Sequence, residues 1–145
     1  MPSYCFLTDP TSRQISSITS LYREADWWSK SESDDPDLVK RIISGSHFFA
    51  VATIEDEIIA MGRTISDRAS DAYIQDVTVT KKYQGNGIGA EIITMLIRGL
   101  RQDNIYWIAL IAERFSHPFY EKLGFTVMPD STPMLWTVDA DDHDF

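Results

Sequence analysis

From Val77 to Gly89 the chain reads Val-Thr-Val-Thr-Lys-Lys-Tyr-Gln-Gly-Asn-Gly-Ile-Gly, a β-branched alternation that runs through a short polar loop into a glycine-rich helix start. That order commits the chain to a strand-to-helix turn with an accessible helix N-terminus. Glycines let a ligand approach the main chain closely, and the first turn of a helix carries N–H groups with no intrahelical partner, aligned with a favourable dipole. An anion, above all a phosphate, suits that place.

The flanking segments supply the remaining elements. Tyr4 to Leu7 reads as an opening strand, and Thr11 to Ala25 sets Ile15, Ile18, Leu21, Tyr22 and Ala25 at helical spacing. Asp35-Pro36 supplies an N-cap followed by proline at the first helical position, and Gly45 closes the second helix. His47–Ile54 and Ile58–Ser66 form an antiparallel hairpin around Glu55-Asp56-Glu57, and Ala72–Val79 is a third strand of that sheet. A helix from about Gly87 to Arg101 follows, its wide apolar stripe suited to packing on a sheet. Ile105–Ala112 is apolar on both alternating faces and is expected as a central strand covered on both sides, parallel to Ala72–Val79 across the intervening helix. Ser116 starts a short helix that Gly124 ends, and Phe125–Met128 and Met134–Val138 read as two closing strands. With 145 residues, no linker and no repeat, the expectation is one mixed α/β domain over residues 1–145.

The glycine spacing excludes two familiar phosphate loops. A P-loop needs Lys and then Ser or Thr after its last glycine, whereas Gly89 is followed by Ala90 and Glu91; the alternating Gly85, Gly87 and Gly89 fit a dinucleotide fingerprint only in part. The pattern Gln84-x-x-Gly87-x-Gly89, preceded by a Val-x-Val strand and Tyr83, resembles the acyl-CoA pyrophosphate loop of the GNAT superfamily of N-acetyltransferases. Downstream by one helix and one strand, Pro118-Phe119-Tyr120-Glu121-Lys122-Leu123-Gly124-Phe125 resembles the Phe-Tyr-x-x-x-Gly-Phe helix of the same family.

The resemblance spans the first helix to the last strand and implies an α/β (α+β) fold. Its sheet would be mixed and mostly antiparallel, flanked by helices, with a splayed parallel strand pair forming the acyl-CoA cleft. It further implies acetyl-CoA as co-substrate, with no metal. Main-chain groups around Val77 and Val79 would pair with the acetyl carbonyl and pantetheine arm, as an added strand pairs with a sheet edge. The main chain of Gln84, Gly85, Asn86, Gly87, Ile88, Gly89 and Ala90 would hold the pyrophosphate. Tyr120 matches the family's tyrosine that donates a proton to the leaving thiolate.

The implied reaction is attack of a primary amine on a thioester. An alkylammonium of pKa ~10.4 has no free lone pair, so the amine must lose a proton. The oxyanion needs a donor, for which a main-chain N–H near Val77 serves, and the departing thiolate, pKa ~8.5 for a comparable thiol, leaves more readily if protonated in step. For the base, strict alternation puts Asp76 on the face of Ile74 and Thr78, partly desolvated, unless a bulge reverses it; Glu113 and water are the alternatives. The acceptor, a small molecule or a peptide amine, is not encoded in these motifs. A catalytically silent acyl-CoA sensor is the second reading, against which the retention of Tyr120 argues.

A net charge of −9 disfavours nucleic acid as partner. No apolar run approaches the ~20 residues that span a bilayer, no signal-peptide pattern opens the chain, and Cys5 has no partner for a disulfide, so a cytoplasmic location is expected. Cys5 itself reads as a core residue. Trp27 and Trp28 suit either satellite core or an acceptor wall, Asp67 and Asp71 either a turn or attraction of a cation, and Lys81, Lys82 and Lys122 flank the proposed groove. His47, His117 and His143 show no metal-like clustering. The acidic tail Asp139–Asp144 reads as solvated, and an exposed strand edge would allow a homodimer.

Overall fold

The computed structural model describes residues 1–138; the acidic tail and His143 lie outside the described residues. Two compact units divide at Leu110/Ile111. The first holds β1 (Ser3–Phe6), α1 (Ser12–Glu24), α2 (Pro36–Gly45), β2 (Phe48–Ile54), β3 (Glu57–Ser66), β4 (Asp71–Val79), α3 (Ile88–Gln102) and β5 (Trp107–Leu110). The second contains α4 (His117–Glu121).

Local chemistry accounts for the helix starts. Thr11 accepts from the Gln14 N–H while the Gln14 side chain accepts from the Thr11 N–H, a reciprocal capping box. Asp35 accepts from Leu38 N–H ahead of Pro36. The Asp35 cap was read from the sequence; the Thr11–Gln14 box was not.

The sheet has the order β1-β2-β3-β4-β5, with the first four strands antiparallel and β5 parallel to β4. The β2–β3 hairpin turns through Glu55 and Asp56, both at positive φ, which matches the twist of the strands they join. One face of the sheet is covered by α1 and α2: Ile15, Ile18, Leu21, Tyr22, Val39 and Ile43 pack with Phe49, Val51 and Met61. On the other face α3 brings Ile92 and Leu96 over Gly62, and Leu100 packs with Ala72 and Ile105. The stripe read along α3 is therefore a sheet-facing stripe.

Three expectations are corrected. The predicted central strand 105–112 is shorter, Trp107–Leu110, and lies at the edge of the sheet, with Tyr106 and Ile111 exposed. The predicted closing strands Phe125–Met128 and Met134–Val138 carry no strand pairing, and Val127, Met128, Met134, Leu135 and Val138 are exposed. The reason is common to both: alternation marks a chain able to form a strand, but only a ladder partner makes it one. Cys5, expected in the core, is exposed on β1, the opposite edge strand.

Gly62 measures how tightly α3 sits on the sheet. A Cβ there would stand 2.7 Å from Ile92 Cγ2 and 3.2 Å from Val77 Cγ2, both on side chains with little room to withdraw. Gly62→Ala is expected to lower stability by about 1–3 kcal/mol through overpacking, read as a shift in the urea midpoint at constant slope.

Candidate active site

β4 outruns its neighbour. Its pairing with β5 ends at Ile74↔Leu110, while its pairing with β3 continues to Val79↔Ala60, so from Gln75 onward one side of β4 has no strand partner among the described residues. Thr80 donates its N–H to Ile59 of β3. Extended alternation then turns the N–H groups of Val79 and Val77 away from β3, to the open side. Among the described residues the parallel pairing of β4 with β5 ends at Ile74↔Leu110, which leaves the N–H groups of Val77 and Val79 on a side of β4 that carries no strand partner.

A bulge shapes the same stretch. Arg63 stands opposite Gln75 but Met61 opposite Thr78, so Gly62 faces two residues, Asp76 and Val77. Asp76 takes φ 57°, the left-handed conformation that Asp and Asn tolerate better than other side-chain-bearing residues, at a cost of roughly 1 kcal/mol. Val77 consequently lies beside Gly62 on the α3 face. Ile74, opposite Thr64 and two residues along β3 from Gly62, shares that face. Asp76 instead reaches Tyr22 of α1 and Arg63, which corrects the placement by strict alternation on the face of Ile74.

The contacts of Asp76 are short and polar. Its Oδ2 accepts from the Tyr22 hydroxyl at 2.7 Å and from Arg63 Nε at 2.6 Å. Burial, and then the Asp76 charge, push the Tyr22 phenol far above its ordinary value, so it remains a donor. Tyr22 stacks on Trp28 at 4.1 Å, and Arg63 extends the chain of bonds to the Ser46 hydroxyl. Trp27 and Trp28 pack against the α1/α2 core, where satellite packing accounts for them. Asp67 accepts from the N–H groups of Ala69, Ser70 and Asp71 and from the Ser70 hydroxyl, which hold its carboxyl well below the usual range. Turn chemistry accounts for Asp67.

Beyond Thr80 a single 3-10 turn, Lys81–Tyr83, leads into the glycines. Gly85 and Gly87 stand at φ 82° and 79°, and nothing lies within 4 Å of where their Cβ atoms would be. They are required by backbone conformation and open space, not by packing. Successive N–H groups turned through such positions form an anion-holding concavity. The first bond of α3 is donated by Glu91 to Gly87, so the N–H groups of Ile88, Gly89 and Ala90 have no intrahelical acceptor. The loop is tied from within, since Gln84 Nε2 donates to Val79 O at 2.8 Å and Asn86 Nδ2 to Tyr83 O at 3.0 Å. Gln84 and Asn86, expected to contribute main chain only, also brace the loop with their side chains.

Glu24, at the end of α1, accepts from the Thr80 hydroxyl and the Lys81 N–H. Sequence reasoning passed over Glu24, Tyr22 and Arg63. Arg63 alone had a signal: a guanidinium following Ile58, Ile59, Ala60 and Met61 in one strand calls for an acidic partner.

Tyr120 belongs to the second unit. It is half-buried, edge-on to Phe119 and Phe125, with ring centroids 4.9 and 5.8 Å away. Burial, and then the charge of Glu113, raise its phenol above the ordinary value. The helix that carries it ends at Glu121, shorter than the sequence indicated, and a turn follows to Gly124 at φ 100°.

An open strand edge that runs into a glycine-lined helix N-terminus fits a long ligand with an acyl end and a diphosphate end. The acetyltransferase (GNAT) domain profile matches residues 9–134. The chain belongs to the GNAT family. It is 40% identical over 83 residues to GCN5-related N-acetyltransferase 2, chloroplastic, of Arabidopsis thaliana, a match that covers 57% of this chain and 32% of that relative. This GNAT chain thus spans about a third of that relative's length. Its fold is that of a GNAT-family acetyltransferase of Streptococcus pneumoniae, with a TM-score of 0.75, 22% identity, and coverage of 95% of this chain and 98% of that one. A Clostridium acetobutylicum acetyltransferase structure with acetyl-CoA superposes with a TM-score of 0.66 at 19% identity, covering 93% and 96%.

The Glu24 brace gives a direct test of the GNAT loop. Glu24→Ala is expected to weaken CoA binding about fivefold by calorimetry, the equivalent of one net hydrogen bond of ~1 kcal/mol, with the thermal midpoint nearly unchanged.

Proposed function

We propose that this chain transfers an acetyl group from acetyl-CoA to a primary amine by direct attack on the thioester. The observation that carries the reading is the continuity of the open β4 edge with the glycine loop. The acyl arm then takes the place of the missing strand, and the pyrophosphate meets free N–H groups. The Clostridium neighbour with acetyl-CoA supports the choice of donor.

Acetyl-CoA supplies an activated acyl carbon and a good leaving group. Gly85 to Ala90 hold its diphosphate through main-chain N–H groups, which tolerates an acidic protein because no cationic side chain is required. Val79 and Val77 align the pantetheine arm and carbonyl, and the Val77 N–H stabilises the oxyanion. Tyr120 protonates the thiolate. Its raised pKa suits that task, because the phenol keeps its proton until the C–S bond breaks and the sulfur becomes basic. With Oδ2 of Asp76 already accepting two bonds, Glu113 or a water takes the proton of the amine.

Thiol release measured over a panel of small amines and amino-terminal peptides tests the proposal. Tyr120→Phe is expected to lower kcat by roughly 10²-fold, within the range for loss of a general acid, with KM for acetyl-CoA little changed. Tight acetyl-CoA binding without turnover on any amine, unaffected by Tyr120→Phe, would favour the sensor reading.

The pH dependence has a definite sign. The phenol is competent while protonated, so a raised pKa carries activity further into the alkaline range. Glu113→Gln removes a charge that raises it. The alkaline limb of the kcat profile is expected to move to lower pH in that variant.

A further inference from the structure

The carboxylate that alternation nominates as a base accepts from two donors. Asp76 is the left-handed residue of the β4 bulge, its Oδ2 is held by Tyr22 and Arg63, and the residue that follows it is Val77. Left-handed φ is a minor conformation for any residue with a side chain. Return of Asp76 to the extended region would remove the bulge, and a one-residue change of register reverses the direction of every later group on the strand. The two donors come from different elements, the Tyr22 hydroxyl from α1 and the Arg63 guanidinium from β3. Together they fix the carboxylate against both neighbours of β4.

We propose that Tyr22, Asp76 and Arg63 form a positioning device: their hydrogen bonds hold the Asp76 bulge, and the bulge aims the Val77 N–H at the thioester carbonyl oxygen. The proposal rests on the acetyl-transfer reading and gives Asp76 a role within it other than proton transfer. In the reaction the amine nitrogen forms a bond to the carbonyl carbon while the carbonyl π pair moves to oxygen. That pair returns as the C–S bond breaks, the sulfur takes a proton from Tyr120, and the nitrogen gives one up to Glu113 or water. Asp76 neither gains nor loses a proton at any step. The oxyanion exists only between the two events, so an N–H displaced by a fraction of an ångström acts on kcat and leaves acetyl-CoA affinity nearly untouched.

Asn is the variant that separates the roles. It tolerates left-handed φ and its amide oxygen accepts a hydrogen bond, but it cannot take up a proton. Asp76→Asn is expected to keep kcat within about fivefold, a change of one hydrogen bond, with an unaltered pH profile. Asp76→Ala is expected to lower kcat by about 10²-fold, the range for loss of one oxyanion donor, with the acetyl-CoA dissociation constant within about threefold of native. Tyr22→Phe, which spares the Arg63–Asp76 pair and so keeps the fold, is expected to cost about fivefold in kcat.

A binding readout needs no acceptor. In isotope-edited infrared spectra of bound acetyl-CoA carrying a 13C carbonyl, the native chain and Asp76→Asn should show the C=O band below its free position, and Asp76→Ala should return it toward the free value. Equal inactivity of the Asn and Ala variants with an unmoved band would make Asp76 the base and overturn the positioning role. Binding by the native chain with an unshifted band overturns it as well, and leaves acetyl transfer standing. Failure of the native chain to bind acetyl-CoA removes the acetyl-transfer reading and the proposal together.

Discussion

Every peptide N–H and C=O of a strand requires a partner, and β4 has partners on both sides only as far as Ile74. The rest of the first unit is arranged around that incomplete ladder. On the closed side β3 follows β4 to Val79; on the open side β5 stops at Leu110. A sheet edge in the middle of a protein is a liability unless something is meant to lie along it. Here the edge leads through the Lys81–Tyr83 turn to Gly85, Gly87 and the first turn of α3, where the N–H groups of Ile88, Gly89 and Ala90 have no intrahelical acceptor. Main-chain donors of β4 and of the first turn of α3 therefore stand at the two ends of the candidate site, with the N–H groups of Thr80, Lys81, Tyr83 and Gln84 between them already paired.

Holding main chain open demands rigidity on the other side. Gly62 lets Ile92, Leu96 and Val77 close over the bulge, and Glu24 ties the loop start to the end of α1. The Tyr22–Asp76–Arg63 group adds a charged pair, Arg63 with Asp76, with both side chains largely shielded from water. A shielded ion pair contributes little net stability compared with apolar packing of similar volume. What it supplies is direction, because hydrogen bonds fix angles that dispersion forces leave loose.

Much of the fold was legible in the residues. The cap at Asp35, the hairpin around Glu55, and the stripe of α3 each depend on neighbours a few positions apart, so local sequence carries them. The edge position of β5 was not legible. Ile105–Ala112 is apolar on both faces, which is the pattern of a central strand, yet its placement depends on whether a further strand pairs with it. The same holds for Phe125–Met128 and Met134–Val138. The glycine loop was read correctly as a local feature, whereas the braces from Glu24, Gln84 and Asn86 act across distances or through side chains that a main-chain motif does not specify.

The sequence by itself determined the kind of site: a strand, a glycine turn and a helix start in that order can present main-chain donors to a diphosphate whatever surrounds them. Only the tertiary structure decided where Asp76 points. Strict alternation set it on the face of Ile74, where a desolvated carboxylate would be a candidate base. A single extra residue opposite Gly62 turned it toward Tyr22 and Arg63. A bulge is a mismatch between two strands, so it belongs to neither sequence segment alone, and the direction of a side chain beside it is settled only when the strands are paired.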